Sequence, residues 1–315
     1  MPTSLPSERH AIAIAREVLN WPDATARRFT TGMAFFVYEV AHGDELAVVR
    51  LGRPEQAKAL ADGRELMERL RPLAVPLPEI LAHGMADGLP YVVMSRLPGA
   101  DLGDVIHDLA PSSLRNVAEA VADAQLATAR SSRGDGFGYA PTPALAPHAT
   151  WTGVVRAHIE RSRQRIVANG LFPPSTVAKA ERLLAGHAAA LARVEPIPFL
   201  HDTTTKNVIV SPTGQLSGIV DIDDLCYGDP RYPAALTTAA MLAWGGPQDY
   251  VTAWLARAGL ARDGVFDFYV ATFLLDFMSE HGTRFNGNET SSDPAERARL
   301  SAVYAGAVAR AGGKT

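Results

Sequence analysis

The feature that most constrains this chain is a predicted hairpin between residues 199 and 222 that carries polar side chains at one end. Asp202 and Asn207 follow an apolar start, and Val208–Val210 predicts a short strand directly after them. A Pro-Thr-Gly turn then leads to a second apolar strand that ends in Asp221. Because a hairpin returns the chain to its starting point, the three polar side chains are expected at the same end.

This set of side chains matches the needs of phosphoryl transfer. A carboxylate orients or deprotonates the acceptor hydroxyl, while an amide and a second carboxylate hold Mg²⁺ on the nucleotide. A turn rich in Asp, Thr and Asn would also explain Asp202 and Asn207 on their own. The second strand ending in Asp221, and Gly228-Asp229-Pro230 after it, favour the phosphoryl-transfer interpretation.

These motifs resemble those of the aminoglycoside phosphotransferase family, small-molecule kinases with a protein-kinase-like fold. The resemblance implies that Asp202 is the catalytic carboxylate and that Asn207 and Asp221 bind the metal. Two positions depart from the family pattern: His201 stands one residue before Asp202 instead of two, and Thr203-Thr-Thr-Lys206 replaces the more common Leu-x-x-Gly. The roles of His201 and of residues 203–206 therefore stay open.

Three carboxylates occur within four residues at Asp221, Asp223 and Asp224. Such a cluster repels itself unless a cation or hydrogen-bond donors neutralise it. A solvated loop is the alternative, but apolar residues on both sides indicate a partly buried loop and favour a metal. Asp223 is therefore predicted as a further metal ligand, whereas the role of Asp224 is left open. We expect Asp229 to organise the loop by hydrogen bonds.

The pattern of apolar residues predicts an α+β chain, and the resemblance implies that it forms a bilobal, protein-kinase-like fold. Five strands in an antiparallel sheet and one main helix at residues 55–70 fill a small N-lobe, residues 1–97, which covers the nucleotide. A break at Arg96-Leu-Pro-Gly99 precedes a larger, mostly helical C-lobe, residues 98–315, with the catalytic and metal loops and the acceptor site. Residues 131–148 are predicted as an exposed loop.

The N-lobe supplies the predicted nucleotide contacts. Arg50 stands on the third strand, where a kinase carries a cation for the α- and β-phosphates; a surface arginine is the alternative. Glu65 is the expected helix partner of Arg50, with Glu68 as the competing choice. Gly32 belongs to the expected phosphate-covering loop. Met94 lies in the hinge whose backbone should read the purine edge.

The predicted acceptor contacts are Asp276 and Glu280, on a helix where antibiotic kinases of the resembled family bind acceptors. Residues 263–296 contain seven acidic residues and one basic residue, Arg284. An acidic face suits a polycationic acceptor, and a solvated helix face is the alternative.

The sequence thus predicts a kinase that moves the γ-phosphate of ATP, with GTP also possible, to a hydroxyl of a small molecule, using Mg²⁺. An aminoglycoside-like or other antibiotic is the favoured acceptor, which implies antibiotic resistance. An aminosugar, choline-like or other alcohol metabolite is the first alternative, and a catalytically inactive nucleotide-binding module the second.

Charge, hydropathy and cysteine content argue against nucleic acid binding, a membrane span and a disulfide bond. The net charge of −4 and a pI near 6.1 argue against nucleic acid. No apolar run approaches the roughly 18 residues of a membrane span. Cys226 is the only cysteine, which excludes an intramolecular disulfide. A cytoplasmic monomer or homodimer is expected.

Overall fold

The computed structural model describes residues 5–29, 35–282, 284–285, 288–289 and 293–313. Within these residues, no helix combines the length and the apolar character needed to cross a bilayer.

The N-lobe is built on a five-stranded antiparallel sheet covered on one face by helix α1 (Glu8–Val18). The strands are β1 (Thr25–Arg28), β2 (Phe36–His42), β3 (Glu45–Leu51), β4 (Ile80–Ala86) and β5 (Leu89–Ser95). In space they follow the order β1-β2-β3-β5-β4. Ala47 and Val49 point into the core under α1, so the alternation of a strand turns Arg50 to the opposite face.

Helix α2 (Ala57–Leu70) follows a 3-10 turn at Pro54–Gln56. Its buried residues recur at helical spacing, and Leu60 packs with Phe35 and Val92 of the N-lobe. Leu66 and Leu70 belong to an apolar cluster that we call the interlobe cluster: Leu66, Leu70, Val75, Ala124, Ala127, Ala140, Leu200, Ile219, Ile222, Leu225 and Tyr227. The helix therefore joins the two lobes through its apolar face.

The C-lobe is mostly helical. Its helices are α3 (Leu102–Val105), α4 (Pro111–Thr128), α5 (Trp151–Asn169), α6 (Ser175–Gly186), α7 (Ala188–Leu191), α8 (Tyr232–Trp244), α9 (Asp249–Ala258), α10 (Gly264–Glu280) and α11 (Pro294–Gly312). Helix α10 is buried along most of its length and packs against α5, α8 and α11. Rings of Trp151, Tyr232 and Tyr269 meet edge to face at its centre.

Short strands carry the loops of the site. The predicted hairpin forms as β9 (Val208–Val210) and β10 (Leu216–Ile219), and β6 (Ala100–Asp101) pairs with β9. A second small antiparallel sheet consists of β7 (Gly138–Ala140), β8 (Ile197–Phe199) and β11 (Leu225–Gly228), with β11 in the middle. Strands β12 (Arg284–Phe285) and β13 (Asn288–Glu289) form a separate pair.

The predicted fold class is confirmed, but the second small sheet corrects the prediction for residues 131–148. This segment is not entirely loop, because it contributes β7, which pairs with β11 just after the aspartate cluster. Cys226 lies in β11 with 0% exposure. Both strands have three or four residues, which is too short for a visible alternation of apolar and polar side chains. The exact lobe boundary at residues 97 and 98 stays a prediction.

Candidate active site

The β9–β10 hairpin brings the predicted catalytic end together. The backbone N–H of Val220 donates to the carbonyl of Asn207 at 2.9 Å, which ties the two strand ends to each other. Asn207 is 5% exposed, and its Nδ2 donates to the carbonyl oxygen of Asp202 at 2.9 Å. Because the amide nitrogen is engaged in this bond, the carboxamide oxygen is the atom that can bind a cation.

Asp202 is held as an ionised carboxylate. Its Oδ1 accepts a hydrogen bond from Thr204 Oγ1 at 2.6 Å, and its Oδ2 lies 3.2 Å from Lys206 Nζ. Burial raises the pKa of Asp202, but Lys206, Thr204 and His201 outweigh burial and leave the pKa below its ordinary value. The carboxylate is therefore charged at neutral pH and can accept a hydrogen bond from a hydroxyl group.

Asp221 directly follows the hairpin in an unusual backbone conformation. Its φ of 63° lies in the left-handed region, which a residue with a Cβ adopts at a cost of order 1–3 kcal/mol. Its side chain is 56% exposed and accepts one hydrogen bond, from Arg50 Nη2 at 3.0 Å. The strained turn therefore presents an accessible carboxylate beside Asn207.

Asp223 faces the same arginine with both of its carboxylate oxygens. Arg50 Nη1 donates to Oδ1 at 2.5 Å, and Nη2 donates to Oδ2 at 2.6 Å. Burial raises the pKa of Asp223, and Asp221 and Asp224 add to that effect, whereas Arg50 opposes it. The predicted metal ligand is thus engaged by a protein cation in this structure.

The expected pairing of Arg50 with Glu65 is not formed. Arg50 is 8% exposed and bonds to Asp221 and Asp223, while Glu65 bonds to Arg64 at 3.2 Å. Glu68, the competing choice, also bonds to Arg64, at 2.8 Å. The reason lies in the rotation of α2: the face turned toward the site carries buried small and apolar residues, and both glutamates lie toward solvent.

Met94 and Gly32 are the two remaining residues that were predicted to contact the nucleotide. Met94, near the end of β5, packs beside an apolar group formed by Phe35, Leu60 and Val92. This is an apolar wall on the cleft side of the sheet, and the contact of Met94 with a purine stays a prediction. Gly32 lies outside the described residues.

Asp276 is not an open docking residue. Its side chain is 14% exposed and lies between one histidine and two arginines: His158 Nε2 at 3.2 Å, Arg161 Nη2 at 3.0 Å and Arg165 Nη1 at 3.5 Å. Ser162 Oγ also donates to it at 3.1 Å. Burial opposes ionisation, yet His158 and Arg161 hold the pKa of Asp276 well below its usual range. Its charge is therefore already neutralised within the protein.

Three further acidic residues of the segment 263–296 are also paired. Glu280 lies 3.4 Å from Arg165 Nη1, and burial together with Asp276 raises the pKa of Glu280. Asp263 pairs with Arg231 at 2.9 Å, and Asp267 with Arg310 at 3.2 Å. Asp276 and these three carboxylates therefore do not form the unpaired acidic face that was expected, because the count along the sequence omitted the arginines that neighbouring elements bring to them.

Two residues of the site had no role predicted from the sequence. His201 Nδ1 lies 3.1 Å from Asp224 Oδ1, and the ring of His201 meets that of Tyr139 edge-on at 5.0 Å. Lys206 lies against Asp202, as described above. Its position four residues after Asp202 was the only signal available in the sequence.

Gly228 and Asp229 fix the chain that follows the aspartate cluster by packing and hydrogen bonds. Asp229 is 4% exposed and accepts hydrogen bonds from Tyr269 Oη at 2.9 Å and from Arg231 Nη2 at 2.7 Å. A Cβ on Gly228 would overlap the ring of Trp151. These contacts agree with the expected structural role of Asp229.

The donor set fits Mg²⁺. This ion prefers oxygen ligands and is usually held by one or two carboxylates together with substrate phosphates. Within the described part of the chain, no group of three His, Cys, Asp or Glu side chains is arranged to hold a metal by itself. Asn207 and Asp221 would therefore share the ion with the phosphates of a nucleotide.

The small sheet-based lobe, the helical lobe and the acidic hairpin end facing a strand-borne arginine together define a kinase-like fold. A model of the phosphotransferase enzyme family (APH) matches residues 25–272. The chain belongs to this family, which confirms the resemblance seen in its motifs.

Individual relatives are more distant. Hygromycin-B 4-O-kinase of Escherichia coli is 26% identical over 189 residues, which cover 57% of this chain and 53% of the relative, so the match spans about half the length of that enzyme. A thermostable mutant of aminoglycoside phosphotransferase APH(4)-Ia superposes with a TM-score of 0.69 at 18% identity, covering 98% of this chain and 100% of the other. Other structures of such mutants are ternary complexes of hygromycin B with ADP or AMP-PNP.

A putative fructosamine-3-kinase of Haemophilus somnus superposes with a TM-score of 0.64 at 12% identity, covering 94% of this chain and 97% of the other. At these identities the structural similarities establish the fold only.

Proposed function

We propose that this protein is an ATP-dependent phosphotransferase that moves the γ-phosphate to a hydroxyl group of a small molecule. The observation that carries the proposal is the joint position of Asp202, Asn207 and Asp221 at one end of the β9–β10 hairpin, with Arg50 beside Asp221. Membership of a phosphotransferase family supports it.

Each side chain has a distinct part in this reaction. Asp202 accepts the hydrogen bond of the acceptor hydroxyl, orients it and takes up its proton as the new O–P bond forms and the bond from the γ-phosphorus to the leaving ADP breaks. Because its pKa is lowered, Asp202 is a weak base, and orientation is its larger contribution. Arg50 holds phosphate oxygens. Mg²⁺, held by Asn207 and Asp221, supplies positive charge to the phosphates when bound.

The acceptor we favour is an aminoglycoside-like antibiotic, because the curated relative is a hygromycin-B kinase. One observation favours a metabolite instead: Asp276 and Glu280 are already paired with arginines and offer little free negative charge to a polycation. An inactive module is the weakest candidate, since the Asp202, Asn207 and Asp221 set is intact.

The function is tested by incubating the protein with ATP or GTP, Mg²⁺ and a panel that contains hygromycin B, other aminoglycosides, aminosugars, fructosamines and choline. Mass analysis of the products detects the addition of a phosphate. Transfer to no member, together with no nucleotide binding, would contradict the proposal.

Asp202→Asn is expected to fold, to bind nucleotide with unchanged affinity and to lose turnover by about two orders of magnitude or more, because the orienting carboxylate is lost. The measurements are kcat for the identified acceptor and nucleotide affinity by calorimetry. Asp44→Asn, on the exposed turn between β2 and β3, is the matched control and should leave both unchanged. Retention of most of the turnover by Asp202→Asn would make Asp202 a structural residue.

A further inference from the structure

The cation that binds phosphates in a kinase must be held in one orientation. In protein kinases a glutamate on the N-lobe helix does this by pairing with the cation on the third strand. Here the corresponding glutamates, Glu65 and Glu68, bond to Arg64. The anchor of Arg50 must therefore come from elsewhere.

The guanidinium of Arg50 is fixed on several sides. Two parallel hydrogen bonds of 2.5 and 2.6 Å join it to the two oxygens of Asp223. This bidentate geometry defines both the position and the plane of a guanidinium group. The ring of Phe35 covers it, with 4.3 Å between the ring centroid and Cζ. Asp223 is thus the dominant anchor of Arg50.

Helix α2 is shaped to accept Asp223. The residue that faces Asp223 from the helix is Gly63, where an added Cβ would lie 3.0 Å from Oδ1 and 3.4 Å from Cα of Asp223. A residue with a side chain would therefore press on the carboxylate. Glycine inside a helix is destabilising by about 1 kcal/mol relative to alanine, so this close approach gives Gly63 a packing reason.

Asp221 and Asp223 differ in what they can still bind. Asp221 is 56% exposed and accepts one hydrogen bond from Arg50. The Asp223 side chain is 34% exposed, and Arg50 engages both of its oxygens. Arg50 donates to both oxygens of Asp223 but only to Oδ1 of Asp221, so Asp221 is the better placed of the two to give an oxygen to a cation.

We propose that Asp223 is a positioning residue that holds Arg50 for the nucleotide phosphates, in place of the helix glutamate, and is not a ligand of Mg²⁺. The inference rests on the proposed function and assigns a new partner within the same site. The loop at residues 221–224, and not α2, then positions the Arg50 guanidinium for the phosphates.

The test compares ATP binding by Asp223→Asn and Asp221→Asn, measured by titration calorimetry with Mg²⁺ and with EDTA. Asp223→Asn should weaken ATP binding by about tenfold or more in both conditions, since it removes a charge-assisted anchor whose effect does not need the metal. Asp221→Asn should weaken binding with Mg²⁺ and leave metal-free binding near that of the wild type.

Gly63→Ala provides a second test, because this substitution leaves every charge of the site unchanged. It should weaken ATP binding with and without Mg²⁺, because the added Cβ displaces Asp223. Gly186→Ala, at the end of α6 where a Cβ meets no atom within 4 Å, is the matched control. This pair also decides the question if Asp223→Asn does not fold.

Loss confined to the Mg²⁺ condition in Asp223→Asn would make Asp223 a metal ligand and overturn the inference. Tighter metal-free binding would overturn it as well, because the pair would then block the phosphates. A wild-type protein that binds neither ATP nor GTP would instead overturn the proposed function, and with it this assignment.

Discussion

His201 lies among carboxylates, and this environment favours its charged form. Burial lowers the pKa of His201, but the close contact with Asp224 and the charges of Asp202 and Asp221 raise it above its ordinary value. A histidine whose pKa is raised on folding stabilises the folded state at every pH below its unfolded pKa of about 6.5, and this stabilisation is lost as the pH rises through the folded pKa.

We therefore predict that the stability difference between the wild type and His201→Gln is largest near pH 6 and becomes smaller as the pH is raised toward 9. Urea unfolding at several pH values measures it. Asp224→Asn should show the same trend, because it removes the other half of the pair. A difference that grows with pH in either variant would contradict the interpretation.

Some residues of the site are placed by the local sequence, and others by packing between distant elements. Asp202, Asn207 and Asp221 sit on one hairpin, so local spacing and turn chemistry place them together, and the sequence alone predicted their set. The partner of Arg50 was assigned wrongly, because Glu65 was chosen from its position in the sequence, while the pairing depends on how α2 is rotated about its axis. A rotation of this kind follows from packing across the lobes.

At the scale of elements, helices α5 and α10 are joined by a cluster of charges centred on Asp276. The histidine and the two arginines come from α5 and the carboxylate from α10, and the carboxylate is largely buried. Removing one partner of a buried ion pair leaves opposite charges without compensation. The cluster therefore fixes how these two helices pack.

Asp276→Asn should reduce the free energy of unfolding by roughly 3–5 kcal/mol, the range for breaking a buried ion pair. Glu280→Gln is the matched control: this more exposed carboxylate on the same helix should contribute less than about 1 kcal/mol. Urea denaturation of both variants measures the effect. An Asp276→Asn variant as stable as the wild type, with a raised acceptor KM, would restore the docking role that the sequence predicted.

Elements whose signal lies in neighbouring residues, such as long helices and the β9–β10 hairpin, were predictable, whereas strands that depend on distant pairing were not. The apolar and small residues of α8, Tyr232–Trp244, end at Gly245, so both the helix and its end follow from the sequence. Residues 175–194 also have a helical composition, but the structure divides them at His187 into α6 and α7. Strands β7 and β11 became strands through pairing between segments far apart in the sequence, which a local pattern does not record.

At the scale of the whole molecule, the interlobe cluster packs side chains of both lobes into one shared apolar core. Leu66 from α2 shares this core with Ile219 and Leu225 from the C-lobe. Since neither set of side chains stays buried when the other lobe unfolds, unfolding of the two lobes should be coupled.

Differential scanning calorimetry should therefore show a single transition. Leu66→Ala should lower the stability of the whole protein by about 2–5 kcal/mol without splitting that transition. Leu46→Ala on β3, where the side chain is 48% exposed, is the control and should have little effect. Two resolved transitions in the wild type would show that the lobes fold independently.

Cys226 gives this architecture a chemical consequence. The chain has a single thiol, which is fully buried in the middle strand of the small sheet beneath the aspartate cluster, and burial raises its pKa well above the ordinary value. The thiolate is the reactive form, so an alkylating reagent can modify the folded protein only when this sheet opens. The rate of covalent labelling of Cys226 therefore reports how often the β7–β11–β8 sheet opens next to the aspartate cluster.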